Sequence, residues 1–116
     1  MLVSQMISIE RKNNAVVIQI KEPQLQMYII PQFKNSVKEV LDTKPKLTIL
    51  DMASVDHMDS SAMGALFHFQ KMAQEYGGTI ALANVNNKVM QVLKITKSDK
   101  NFEIFESVEK ALHSGK

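Results

Sequence analysis

After two opening strand-like runs, short β-branched segments alternate along this chain with stretches in which apolar residues recur every three or four positions. Few folds accept that pattern, because a strand, a helix and a second strand of the same sheet close almost only as a right-handed parallel crossover. Ile7, Ile9 and Arg11 alternate with polar residues, and Ala15-Val16-Val17-Ile18-Gln19-Ile20 follows Asn13-Asn14, so a hairpin turned on the asparagines is expected. Pro31 suits a first helical turn, and Phe33, Val37, Val40 and Leu41 keep helical spacing until Thr43-Lys44-Pro45 breaks it. Residues 47–50 read as a buried strand, and Met63, Leu66, Phe67 and Met72 mark a helix from Ser60 to a glycine stop at Gly77-Gly78. A strand over 79–83, a helix over 89–95, a strand over 102–105 and a helix capped by Ser107 complete the order ββαβαβαβα. The predicted fold is α/β, a mixed, largely parallel sheet of about four to five strands with flanking helices.

Composition narrows what such a fold could be for. With 116 residues, 45% of them hydrophobic, residues 1–116 are expected to form one domain around one core. A net charge of +2 is too small to make nucleic acid or anionic lipid the default partner, and the basic group Lys94, Lys97 and Lys100 is interrupted by Asp99. No run approaches the roughly 18 apolar residues of a membrane span, and the stretch from Met1 to Arg11 lacks the pattern of a secretory signal. A cytoplasmic protein is expected. The absence of cysteine excludes disulfides, thiol catalysis and thiolate metal sites.

The chemistry-bearing residues crowd into Leu50-Asp51-Met52-Ala53-Ser54-Val55-Asp56-His57-Met58-Asp59-Ser60-Ser61-Ala62-Met63-Gly64, between a buried strand and a helix. In open α/β sheets, ligands and partners meet the carboxyl ends of the strands. Asp59 is placed as a helix N-cap and Ser60 as the first helical residue, and a second serine, Ser61, exceeds what a cap requires. Asp56, His57 and Ser60 do not read as a catalytic triad, whose members converge from separate elements. Asp56, His57 and Asp59 lack metal-ligand spacing, and Gly64, Gly77, Gly78 and Gly115 form no phosphate loop. No enzyme activity, metal or cofactor is expected.

The run Met58-Asp59-Ser60-Ser61-Ala62-Met63-Gly64 resembles the Asp-Ser-Ser-Gly-Leu-Gly signature of STAS domains, especially the bacterial anti-sigma factor antagonists. Gly77-Gly78, Asn84, Val89 and Leu93, the stretch from Leu93 to Phe105, and Ser107-Val108-Glu109-Lys110-Ala111-Leu112 are similar to the family's second half. Three departures stand out. Ala62 replaces a frequent glycine, Lys97-Ser98 replaces Gly-Leu, and Gln26 in Pro23-Gln24-Leu25-Gln26 stands where the family has an aspartate.

The resemblance implies that Ser60 is a phosphoacceptor. It further implies that the unmodified chain binds a serine kinase doubling as an anti-sigma factor, that phosphorylation by that kinase ends the interaction, and that a serine phosphatase resets it. Met58, Asp59, Ser61, Ala62 and Met63 are expected to border the partner surface, with some of the apolar three exposed. Phosphate is expected to be welcomed by free amides at the helix start and to act by repulsion at the interface. A monomer or weak dimer is expected. The alternative is a STAS-like scaffold or assembly module with Asp59-Ser60 serving as a cap alone. A receiver-like phosphoaspartate domain, suggested by Leu50-Asp51, would need an acidic pair after its first strand, where only Glu22 is found.

Overall fold

The computed structural model describes residues 6–12 and 14–114. Strands β1 (Ile7–Lys12) and β2 (Ala15–Ile20) form the expected antiparallel pair, with Asn13 of the turn outside the described residues. Strands β3 (Gln24–Leu25), β4 (Leu47–Asp51), β5 (His57–Met58), β6 (Thr79–Ala83) and β7 (Glu103–Phe105) follow. Helices α1 (Ile30–Leu41), α2 (Ser60–Glu75), α3 (Asn87–Ile95) and α4 (Val108–Ser114) lie between or after them, and a 3-10 turn over Met27–Ile29 leads into α1. The main sheet has the order β1-β2-β4-β6-β7, and every pairing beyond the hairpin is parallel. The predicted architecture is therefore present. The short sheet β3-β5 is an addition, since runs of two residues carry no period to read.

Alternation along each strand sends side chains to two cores. On one face Val16, Ile18, Ile20, Leu50, Ile80 and Leu82 pack beneath the first three helices, where the rings of Phe33 and Phe69 meet edge to face at 5.5 Å. On the other, Val17, Ile49, Ala81 and Ala83 meet Ala111 of α4, flanked by Val108 and Leu112. Small residues on both partners let that short helix lie close to the sheet.

Helix ends explain two features of the sequence. Helix α2 closes with hydrogen bonds from Gly78 N to Ala73 O (2.7 Å) and from Gly77 N to Gln74 O (3.1 Å), with Gly77 at a φ of 86°. This is the six-to-one cap that glycine favours. Helix α3 closes the same way, from Ser98 N to Leu93 O (2.7 Å) and Lys97 N to Lys94 O (3.0 Å), but with Lys97 at a φ of 59°. Lys97 thus occupies a left-handed position where the resembling family carries glycine. Lys97→Gly is expected to stabilise the chain by about 0.5–1 kcal/mol, the left-handed penalty less glycine's extra chain entropy. A rise in the urea unfolding midpoint with an unchanged slope checks it.

Candidate functional site

The loop from β4 to α2 is built on apolar residues at every third position. Met52, Val55 and Met58 are all buried, and the residues between them face outward. Backbone bonds tie this loop down on both sides. Met52 N donates to Ala83 O at 2.9 Å, Asp56 N and His57 N donate to Pro23 O at 2.7 and 3.1 Å, and Asp59 N donates to Leu25 O at 3.2 Å. From the β6–α3 side, Asn86 Nδ2 donates to Val55 O at 2.9 Å while Asn86 Oδ1 caps α3 by accepting from Val89 N at 2.8 Å. The start of α2 is therefore raised on a braced platform at the carboxyl ends of β2, β4 and β6.

Asp59 is the N-cap of α2, as its extended backbone requires. Its Oδ1 accepts from Ser61 N at 3.0 Å, Ala62 N at 3.1 Å and Ser61 Oγ at 2.5 Å. Its Oδ2 accepts from Met27 N at 3.0 Å, so the same carboxylate also caps the 3-10 turn that opens α1. Gln26, the residue placed to cap that turn, makes no such bond, and its Nε2 donates to Gln24 Oε1 at 2.6 Å. The Ser61 hydroxyl is the largest influence on Asp59 and draws its carboxyl below the ordinary aspartate range. Partial burial opposes it, and the Ala62, Met27 and Ser61 amides reinforce it.

The two serines thus differ. Ser61 is half-buried and its hydroxyl is given to Asp59, whereas Ser60 is exposed and its hydroxyl makes no hydrogen bond among the described residues. The amides expected to receive a phosphate at this helix start are already held by Asp59 Oδ1.

The expected exposure of Met58, Ala62 and Met63 requires correction. Met58 is 1%, Ala62 0% and Met63 5% exposed. Met58 ends the three-residue rhythm of the loop, and Ala62 lies on the α2 stripe with Leu66, Phe69 and Ala73 that faces the sheet. Their side chains do not offer a partner surface. The apolar groups that do lie exposed nearby are Met27 (70%) and Tyr28 (77%), which the sequence reading did not single out. Their signal was the run Met27-Tyr28-Ile29-Ile30, longer than one buried helix turn can hide.

Neighbouring polar residues have structural partners. Asp51 Oδ1 accepts from Ala53 N at 3.1 Å and from Asn84 Nδ2 at 3.0 Å. Asp56 reaches Lys88 across to α3, with Oδ2 3.9 Å from Nζ, both groups largely exposed. Among the described residues, no helix is long and apolar enough to cross a membrane and no three His, Asp or Glu side chains gather as a metal site.

A largely parallel sheet with the capped starts of α2 and α3 braced against each other at its carboxyl end describes the class of this domain, and the STAS domain model matches residues 6–111. The chain belongs to the STAS domain family. The TM1081 homolog of Thermotoga neapolitana, named as an anti-sigma factor antagonist, is 30% identical over 98 residues, covering 84% of this chain and 87% of that protein. A crystal structure of the Thermotoga maritima protein TM1081 is similar with a TM-score of 0.86 at 22% identity, covering 98% of this chain and 97% of that one. The anti-sigma factor antagonist SpoIIAA in its unphosphorylated form gives a TM-score of 0.76 at 18% identity, with 91% and 92% covered. Its phosphorylated form, from Bacillus, gives 0.71 at 16%, with 95% and 99% covered.

Two outcomes follow from this geometry. Met63→Lys is expected to destabilise the fold by about 3–5 kcal/mol, the cost of an unpaired buried charge, and a lowered melting temperature reads it. Because the folded pKa of Asp59 is depressed, its cap contributes stability that is fully present above the unfolded value of about 3.9 and is lost as pH falls through the folded value. Asp59→Ala is expected to cost about 1–2 kcal/mol at neutral pH. Thermal melts of the two chains are expected to converge as pH drops below about 4.

Proposed function

We propose that this chain is an anti-sigma factor antagonist switched by phosphorylation of Ser60. In its unmodified form it binds a serine kinase that doubles as an anti-sigma factor, and the phosphate added to Ser60 ends that binding until a phosphatase removes it. The observation that carries this reading is the division of labour at the helix start: Ser61 is spent on Asp59, while the Ser60 hydroxyl is exposed and unbonded among the described residues. The names of the Thermotoga relatives and the fold shared with SpoIIAA support the same role. The exposed Met27 and Tyr28, held to the Ser60 helix start through Asp59, supply apolar area for a partner that reads the serine.

Charge makes the switch. A phosphoserine carries about −1.5 to −2 at neutral pH. On the free chain, water screens it. In an interface it loses that water beside an Asp59 that is already ionised, and without a new cationic partner the cost reaches several kcal/mol. Each 1.4 kcal/mol is about tenfold in affinity, so no refolding of the core is needed.

Protein recovered from its source cells is expected to run as two bands on a phosphate-sensitive gel, with Ser60→Ala giving only the faster one. The unmodified chain used as bait is expected to retain a serine kinase, and Ser60→Asp to lose it by at least about tenfold. A single band in cells under every growth condition would instead favour a scaffold role.

A further inference from the structure

Asp59 joins two elements that are 32 residues apart in sequence, and it does so with one rigid group. Its Oδ1 holds the Ser61 and Ala62 amides at the start of α2, and its Oδ2 holds the Met27 amide at the start of the turn bearing Met27 and Tyr28. The two oxygens share a plane, so neither can be redirected without moving the other. The Met27 amide, first of its turn, gives its hydrogen bond to Asp59, and Gln26 adds no side-chain cap of its own. Ser60 lies between Asp59 and the amides that Asp59 holds.

We propose that Asp59 is a positioning residue that relays phosphorylation of Ser60 to the Met27–Tyr28 turn. The inference rests on the reading of Ser60 as the phosphoacceptor and specifies how that site is regulated. A phosphate on Ser60 is tethered beside the Ser61 and Ala62 amides and competes with Oδ1 for them, since two anions then face one set of donors at a helix start. The phosphate has three acceptor oxygens and the larger charge. It takes those amides and repels the carboxylate, and as the carboxylate swings away, Oδ2 leaves Met27. The turn carrying Met27 and Tyr28 loses its cap. The partner then meets a new negative charge and, at the same time, an apolar contact that is no longer held in place. The strands, whose cores lie beneath this platform, are unaffected.

The test is amide hydrogen exchange on the full chain with phosphoserine encoded at position 60, so that no kinase is required. Met27 N–H is expected to exchange at least about tenfold faster with phosphate than without, while Leu50 and Leu82 amides in the central strands keep their rates. Asp59→Asn retains one oxygen to cap α2 but presents an NH₂ group to Met27, so it should speed Met27 exchange in the unmodified chain. Phosphate should then add little to it, as for two changes acting through one contact. Asp59→Ser, which caps α2 but is too short to reach Met27, is the second variant should Asp59→Asn fold poorly. Unchanged Met27 exchange on phosphorylation overturns the relay, as does an equal acceleration by phosphate with and without the Asp59 carboxylate. Failure of the underlying reading shows separately, as an absence of phosphate on Ser60 in cells.

Discussion

Parallel pairing of β2, β4, β6 and β7 sets the terms for everything else in this molecule. Strands that run the same way must be joined by crossovers, and the crossovers place α1, α2 and α3 over one face and send every strand-to-helix loop to the same end of the sheet. The central strands are consequently buried on both faces, which is why 47–50 and 79–83 carry almost unbroken apolar runs. Little polar chemistry can be placed inside such a sheet. It accumulates where the carboxyl ends emerge, at Asp51, Asn84, Asn86 and Asp59, and each of those side chains is occupied in holding one loop to the next.

That division explains how far the sequence could be read. The main strands and helices follow from period and from caps at Asp59, Ser107 and Gly77, because burial of one face imposes the pattern locally. Asp59 as cap and Ser60 as first helical residue follow in the same way. What escaped the reading depends on contacts between distant segments. The β3-β5 sheet is too short to show alternation, and the second arm of Asp59 reaches a backbone amide that any residue but proline could supply at position 27. Met58 is hidden because a braced loop buries every third residue, a rhythm that belongs to neither helix nor strand, while Ala62 and Met63 are hidden because the first turn of α2 already turns them toward the core. The exposed methionine of the site lies in the other loop, at Met27.

The departures from the family's signature acquire physical meanings. Ala62 points into the core, so its methyl adds packing and not bulk on the exposed surface beside Ser60. Gln26 leaves the capping of the first turn to Asp59 alone, which concentrates in one carboxylate a task that an acidic residue at position 26 could have shared. Lys97 keeps the geometry of a glycine cap while paying its steric cost, so the α3 end is held by the two backbone bonds and by the burial of Leu93 and Ser98.

The β3-β5 sheet also bears on how the chain folds. Its two rungs, Gln24 with His57 and Leu25 with Met58, are parallel and enclose the whole of α1 and β4. Closing so long a loop for so few hydrogen bonds is entropically unfavourable until the intervening helix and strand are already packed. The pairing that brings Asp59 to Met27 therefore leans on the packing of α1 and β4 for its closure. Ser60 and the exposed Met27–Tyr28 turn thus gain their common setting only in a chain whose core is already packed.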